Sequence, residues 1–315
     1  MNIVTLIKNF FKFLYKNKSN IDKGVTFNLM NQFIKNNYSK EEFDSSYAIV
    51  VQGPFVKKNH ITLNTLKLYR KIYPNIIIIY SGWDEDRDCK DDLSEIGVKT
   101  IFSEFPSHSG LGNLNYQIVT SSKGVALAKS LGVDFVLKSR ADQRMCSGRF
   151  LEDLKQFFNE FSDSPQKPSK LIGISKGTFI HRVNSISDML MFGKINDMVT
   201  YWSPPLDQRG KEKLAGGMTI FESVQAEIAE VYFFNNYIRS KKKKPIISYE
   251  FWFSSLAEFF IIIDSDMLNL YWPKYSSENN YYKMPEVTFS VWLGIKNKNI
   301  KPFDKKHLEK IPRYT

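Results

Sequence analysis

Residues Asp134–Met145 read DFVLKSRADQRM, and two kinds of environment meet inside this one stretch. Phe135-Val136-Leu137 is a short apolar run of the kind that fills a buried strand. The next residues, Lys138 to Arg144, crowd together three cations, a carboxylate and an amide. Isolated charges lose too much solvation to be buried without partners. A buried strand that ends in clustered charge therefore predicts a strand tip opening into a cleft. In open α/β sheets, ligands sit along that carboxyl edge. Three cations around one carboxylate predict an anionic ligand, with phosphate the first choice. The competing reading is a surface ion-pair cluster after an edge strand, which would hold no ligand.

The chain before this stretch repeats the same kind of unit. Tyr47-Ala48-Ile49-Val50-Val51-Gln52 reads as a buried strand broken at once by Gly53-Pro54. Ile61, Thr62, Leu66, Tyr69, Ile72 and Tyr73 then recur at helical spacing until Pro74 stops the helix. Ile76–Tyr80 is a second strand, too apolar to face water on either side, and it runs into Ser81-Gly82-Trp83. An acidic, helix-prone segment follows from Asp84 to Ile96, then a third strand from Val98 to Phe102. A helix over Leu114–Leu131 has Ile118, Ser121, Val125 and Ala128 on one face. Alternating strands and helices define a doubly wound α/β pattern. Right-handed crossovers bring the strand ends to one edge, so Gln52-Gly53, Ser81–Trp83 and Arg140–Asp142 are expected in a single crevice.

The second half is less regular. Helices are expected at Phe150–Phe161 and about Glu222–Arg239, and strands at Leu171–Ser175, Ile186–Phe192 and Ile261–Ile263. At the other end, residues 1–18 (MNIVTLIKNFFKFLYKNK) place Ile3, Leu6, Ile7, Phe10, Phe13 and Leu14 at helical spacing. Lys8 and Lys12 interrupt the apolar run, which excludes a spanning helix and a good signal peptide. Two readings stay open for it: an interfacial helix on anionic lipid, or a helix docked on the protein's own body.

At 315 residues, 43% hydrophobic and 15% aromatic, the chain can bury a sizeable core. Its net charge of +11 favours anionic partners without choosing among them. The two cysteines, Cys89 and Cys146, need no disulfide, and the four scattered histidines make no zinc pattern. The phosphate-cradling GxxxxGK, the dinucleotide GxGxxG and the nucleophile GxSxG are all absent.

Several short motifs in order give the chain a resemblance. AIVVQGP (48–54), IIIIYSGW (76–83), NLNYQIVTSSKGVALA (113–128) and DFVLKSRADQRM (134–145) resemble the WavE lipopolysaccharide-synthesis family, as do ISDMLMFG (186–193) and IDSDMLNLYWPKY (263–275). The likeness spans roughly residues 45–275. It implies a glycosyltransferase of bacterial surface polysaccharides, with a GT-A-like nucleotide-sugar-binding α/β fold and a mixed, mostly parallel central sheet flanked by helices. The expected organisation is an amphipathic helix over 1–18, a connection over 19–45, one domain over 46–295 and a basic tail over 296–315. Within the domain, 46–150 would take the donor nucleotide and 151–295 the acceptor.

By position, Arg140-Ala141-Asp142 stands where many GT-A enzymes carry the Asp-x-Asp metal-diphosphate motif, with arginine in place of the first carboxylate. Two mechanisms follow. Asp142 would help hold a divalent cation, Mg²⁺ or Mn²⁺, though one aspartate is a thin grip for an ion that prefers several oxygens. Otherwise Lys138, Arg140 and Arg144 would neutralise the diphosphate directly, with Asp142 orienting an arginine or a sugar hydroxyl. The first is slightly preferred.

Gln52, Gly53 and Pro54 are the expected donor contacts at the first strand tip, and Trp83 a surface for stacking on a base or sugar, or else an edge aromatic. Asn113, Asn115 and Gln117 open a helix with amides suited to ribose, base or sugar hydroxyls; N-capping also accounts for Asn113. An inverting transferase needs a carboxylate base near the acceptor hydroxyl. Glu227, read with Glu230 on the Glu222–Arg239 helix, is the first choice. Asp188, a carboxylate in an apolar strand, is the second, and Asp207 lies in a Pro-rich loop.

The expected donor is a nucleotide sugar, the acceptor a lipid-linked lipopolysaccharide or capsule glycan, and the location cytoplasmic, peripheral on the inner membrane face. Two alternatives come from other classes. A sugar nucleotidyltransferase would carry a Gly-rich loop with Arg and Lys after the first strand, and QGPFVKKNH has the cations without the glycines. A non-enzymatic basic protein for nucleic acid or membrane would explain the charge. It would not explain a carboxylate and amides converging on one sheet edge.

Overall fold

The computed structural model describes residues 43–162, 168–210, 218–272, 284–304 and 306. The amphipathic stretch 1–18 and the connection after it lie outside them. From the sequence pattern come β1 (Tyr47–Gln52), α1 (Ile61–Ile72), β2 (Ile77–Trp83), α2 (Lys90–Glu95), β3 (Lys99–Ser103), α3 (Leu114–Ser130) and β4 (Phe135–Arg140). A 3-10 turn over Asp84–Cys89 precedes α2. β1, β2, β3 and β4 are mutually parallel in the order β3-β2-β1-β4. The register pairs Gln52 with both Ser81 and Arg140, so the strand tips end level at one edge, as the crossover argument requires.

The sheet continues beyond β4 through β7 (Met191–Lys194), β6 (Leu171–Ile174) and β8 (Phe260–Ile263). β7 runs antiparallel to both its neighbours, while β6 and β8 are parallel to each other. The result is the mixed, mostly parallel seven-stranded sheet that was expected. Its inner strands are buried on both faces, every residue of β1 and β6 among them, which explains why these read as unbroken apolar runs. A close approach seats α3. A Cβ at Gly124 would stand 2.5 Å from Val50 Cγ1 and 2.9 Å from Ser81 Cβ, so only glycine lets the helix lie this near β1 and β2.

α4 (Phe150–Phe161) follows a two-residue strand, β5 (Arg144–Met145), and buries its phenylalanines. α5 (Ile195–Trp202), α6 (Ile220–Gln225), α7 (Ala229–Ser240), α8 (Tyr249–Phe259), β9 (Leu270–Tyr271) and α9 (Phe289–Lys296) complete the described elements. β9 pairs antiparallel with β5, opposite Arg144 and Met145.

Two expected elements differ. The strand at Ile186–Phe192 shrinks to Met191–Lys194 because the backbone before it bonds to side chains instead of a ladder. Ser187 N–H donates to Thr178 Oγ1 at 3.0 Å, and the Asp188 carbonyl accepts from Lys138 Nζ at 2.6 Å. Asp188 is therefore in a bend, not a strand. The helix at Glu222–Arg239 is two helices. α6 is opened by a Thr219–Glu222 capping box and stops at Ala226, and Glu227 takes a left-handed φ of 45°. The Arg209 guanidinium donates to the Ala226 and Glu227 carbonyls, which satisfies the helix end at the break.

Candidate active site

The candidate site is built at the tips of β1 and β4. Alternation along β4 puts Lys138 and Arg140 on one face, and β1 beside them ends at Gln52. Arg140 turns to Asp142, with Nε to Oδ1 at 3.0 Å and Nη2 to Oδ2 at 3.2 Å. Trp272, just past β9, donates its indole N–H to Asp142 Oδ2 at 3.1 Å, and Arg140 lies 5.7 Å from its ring centre. Burial alone would raise the Asp142 carboxyl, but the Arg140 bonds and charge, with Trp272, outweigh it and hold the pKa below its ordinary value.

Lys138 sits one step deeper, fully buried. Its ammonium donates to the Asp188 carbonyl and lies 3.9 Å from the Trp202 ring centre. Burial pushes its pKa down to about 7 against the attraction of Asp188, with Arg140 adding to the fall.

Asp188 enters from the next strand. β7 pairs Met191 with Lys138, so the bend three residues upstream stands at the same edge as Arg140. Gln117, in the first turn of α3, donates its amide to Asp188 Oδ2. One turn on, Thr120 donates to Gln52 Oε1 at 2.7 Å. Behind Asp188 stand Glu230, expected alongside Glu227 as a candidate carboxylate, and Arg182, which was not expected. Arg182 donates to Glu230 Oε1 at 2.9 Å and also bonds the Gly177 carbonyl and Ser185 Oγ. Burial and the Asp188 charge raise the Glu230 carboxyl, with Arg182 opposing.

Of the residues expected from sequence, Gln52, Gln117, Lys138, Arg140, Asp142 and Asp188 are thus brought together. Gly53 adjoins them at the β1 tip, its φ of 109° making the turn and its carbonyl accepting from Tyr80 at 3.0 Å; Pro54 beside it is exposed. Trp83 ends β2 in an aromatic cluster, stacked on Phe105 at 4.3 Å with Tyr116 on its edge.

Others have different tasks. Asn115 is fully buried; its amide bonds the carbonyls of His108 and Asp207 and accepts from the Asp207 N–H at 2.7 Å. Asp207 in turn accepts from Leu111 N–H, so the pair knits two loops together. Asn113 is exposed at the start of α3 and makes no capping bond. Arg144 points to α1, bonding Thr65 Oγ1 at 3.0 Å and the Ile61 carbonyl. Glu227 sits at the break before α7, where Oε1 accepts from Asn235 at 2.7 Å and Arg239 at 2.9 Å.

Trp272 lies in the stretch IDSDMLNLYWPKY, and its contact with Asp142 spans 130 positions, which no local pattern exposes. Arg182 carried a faint signal, a cation beside His181 in an otherwise apolar and small-polar run.

The sequence matches the profile of WavE lipopolysaccharide synthesis over residues 47–314. The chain belongs to this family. A comparison with curated proteins found no match. Among solved structures it is similar to a cytidylyltransferase from Leptospira borgpetersenii, 11% identical over 84% of this chain and 92% of that one, with a TM-score of 0.37. It is also similar to a glycosyltransferase involved in glycosylation of the major capsid of PBCV-1, 13% identical over 50% and 65%, with a TM-score of 0.29. TarS of S. aureus is 13% identical over 68% and 48%, with a TM-score of 0.31. At such scores the activity of this WavE family member has to be argued from its own residues.

Proposed function

We propose that this chain is a glycosyltransferase that moves a sugar from a nucleoside-diphosphate donor to a growing lipopolysaccharide or related capsule glycan. One observation carries the reading: Lys138 and Arg140 share a face at the carboxyl edge of a parallel sheet, with Asp188 beside them, its carbonyl bonded by Lys138 and its carboxylate by Gln117. Cations at that edge suit a diphosphate, and a carboxylate one strand away suits the acceptor. The acceptor hydroxyl attacks the anomeric carbon, the bond from that carbon to the diphosphate oxygen breaks, and the nucleoside diphosphate leaves with the bonding pair. Asp188 takes the hydroxyl proton. Arg140, aimed by Asp142, takes up the charge developing on the leaving oxygen, and buried Lys138 adds to the field from beneath. Asp188 replaces Glu227 as the favoured base because Glu227 is bonded to Asn235 and Arg239.

A divalent cation fits this donor set poorly. Asp142 already accepts from Arg140 and Trp272, and among the described residues no three His, Cys, Asp or Glu side chains form a metal-holding group. Hard divalent ions want several oxygens. We therefore assign diphosphate neutralisation to Arg140 and Lys138.

The test is thermal stabilisation by free nucleoside diphosphates and nucleotide sugars, each with Mn²⁺ or with EDTA. Ligand that binds only the folded state raises the midpoint by mass action. The expected result is a shift with one nucleoside diphosphate that survives EDTA and is lost in Arg140→Ala. A shift that needs Mn²⁺ would return the charge to a metal at Asp142. No shift with any nucleotide would end the transferase reading.

A further inference from the structure

Resting on the transferase reading of this site, we infer that Trp272 is a positioning residue, which aims the Arg140 guanidinium at the leaving diphosphate by fixing Asp142. The observation is a carboxylate gripped from two sides. Arg140 lays Nε and Nη2 along the two Asp142 oxygens, at 3.0 and 3.2 Å, and the Trp272 indole N–H reaches Oδ2 at 3.1 Å. The Arg140 guanidinium also lies 5.7 Å from the Trp272 ring centre, within range of a cation–π contact. A paired fork between guanidinium and carboxylate is directional, so whatever stops the carboxylate from rotating also sets the plane of Arg140. Asp142 stands in a turn past the end of β4. Among the described residues, Trp272 is the side chain other than Arg140 that bonds its carboxylate.

The tryptophan is delivered from the far side of the sheet. β8 lies three strands from β4 in the order β4-β7-β6-β8, about 14 Å away at the usual strand spacing. β7 is antiparallel to both β4 and β6, and β8 is parallel to β6, so β8 runs in the same direction as β4. The chain leaving β8 therefore starts at the same edge as Arg140, and residues 264–272 cross back along that edge. Each stage of the crossing is tied. The Asp264 carboxylate accepts from Phe289 N–H at 2.9 Å, and Ser265 N–H donates to Ser175 Oγ, just past β6, at 3.2 Å. Asn269 turns the chain with a φ of 47°, and the carbonyls of Asn269 and Leu268 accept from Cys146 and Ser147 N–H. β9 then pairs with β5, Tyr271 opposite Arg144. One further step of that antiparallel register puts Trp272 opposite Gln143, next to Asp142. The Trp272 side chain is buried, as suits a wedge seated behind an ion pair and not a surface that stacks on a ligand. The donor end of the site thus draws on both halves of the chain.

The test is a double-mutant cycle on the full chain, with kcat and KM measured separately for a nucleotide sugar whose nucleoside diphosphate stabilises the protein. Trp272→Phe keeps an aromatic ring and removes the N–H donor. It should lower kcat about tenfold and change KM less than about threefold, because an aim that matters as charge develops acts on the transition state. In an Asp142→Asn background the fork to Arg140 is already broken, so adding Trp272→Phe should cost less than about twofold. Residues that act through one another are non-additive in this way, whereas a general weakening of the fold lowers both backgrounds alike. A Trp272→Phe protein with the parent's kcat overturns the inference, whether or not its KM rises, and so does an equal loss in both backgrounds. Either result leaves the transferase reading standing. Should Trp272→Phe fail to fold, benzothienylalanine at position 272 keeps the shape of the indole and loses only the N–H. It then takes the same place in the cycle, with the same two outcomes. If the parent releases nucleoside diphosphate from no nucleotide sugar, the transferase reading falls first and takes the inference with it.

Discussion

Asp142 holds Arg140 by two bonds and receives a third from Trp272, so its charge has a definite pH signature. Its folded-state pKa lies below the ordinary 3.8. A carboxyl depressed on folding contributes stability that is fully present above its unfolded pKa and is lost as pH falls through the folded one. Asp142→Asn should therefore melt below the parent at pH 7. The gap should close as the solution is acidified past the ordinary carboxylate range. The two side chains are only about three-quarters buried, at 29% and 25% exposure, so the loss is set at about 1–2 kcal/mol, read from paired melts between pH 3 and 7. On the proposed reading, the same substitution loosens the guanidinium that would face the leaving group. Turnover with a nucleotide sugar should fall about 100-fold, a typical cost of disturbing one charge-stabilising donor. Equal melting across the pH range would mean that the pair adds nothing to stability, and normal turnover would remove Arg140 from the reaction.

At the scale of an element, α4 carries an acid in an adverse place. Asp153 is buried on the core-facing side of α4, its Oδ1 has no hydrogen-bond partner, and burial pushes its pKa up to about 6, with Arg149 opposing and Glu152 assisting. The sign is opposite to that of Asp142. The folded state keeps the proton longer than the unfolded chain, so stability falls as pH rises from 3.8 toward 6 and stays lower above it. A carboxyl pushed from 3.8 up to about 6 costs about 3 kcal/mol at most. Asp153→Asn should remove this slope and raise the melting midpoint at pH 7.5 by several degrees. A variant with the parent's pH profile would show that the carboxyl is solvated in the folded protein. Elements like α4 were legible because their own periodicity defines them, and β1, β2 and the first half of β4 because burial on both faces leaves unbroken apolar runs. Where long-range bonds decide the backbone, local pattern failed. Arg209 ends α6 from another loop, Lys138 holds the Asp188 bend across fifty positions, and β5 and β9 are two-residue strands defined only by each other. The candidate site divides in the same way. The β4 tip announced itself through charge after an apolar run, whereas amides such as Asn115 look equally fit for a ligand or for a buried knot between loops.

For the whole molecule, the excess of eleven positive charges has to be set against a fold whose described residues include no helix long and apolar enough to cross a membrane. An acceptor that is lipid-linked would keep the enzyme at a surface, and the sequence offers a means in residues 1–18. Their apolar positions fall at helical spacing, and Lys8, Lys12, Lys16 and Lys18 supply basic charge. Each lysine near an anionic surface adds about 1 kcal/mol, falling off within a Debye length. A segment acting in this way would bind vesicles containing phosphatidylglycerol in low salt, bind less in high salt, and bind pure phosphatidylcholine weakly. Removing residues 1–18 should reduce sedimentation with the anionic vesicles by about tenfold or more. It should leave nucleoside-diphosphate stabilisation unchanged, because every residue assigned to the candidate site lies after position 43. If the shortened protein sediments as well as the parent, the segment serves the protein's own body, and any membrane affinity belongs to the basic surface elsewhere. If nucleotide binding is lost instead, residues 1–18 support the catalytic fold and the two ends of the molecule are not independent.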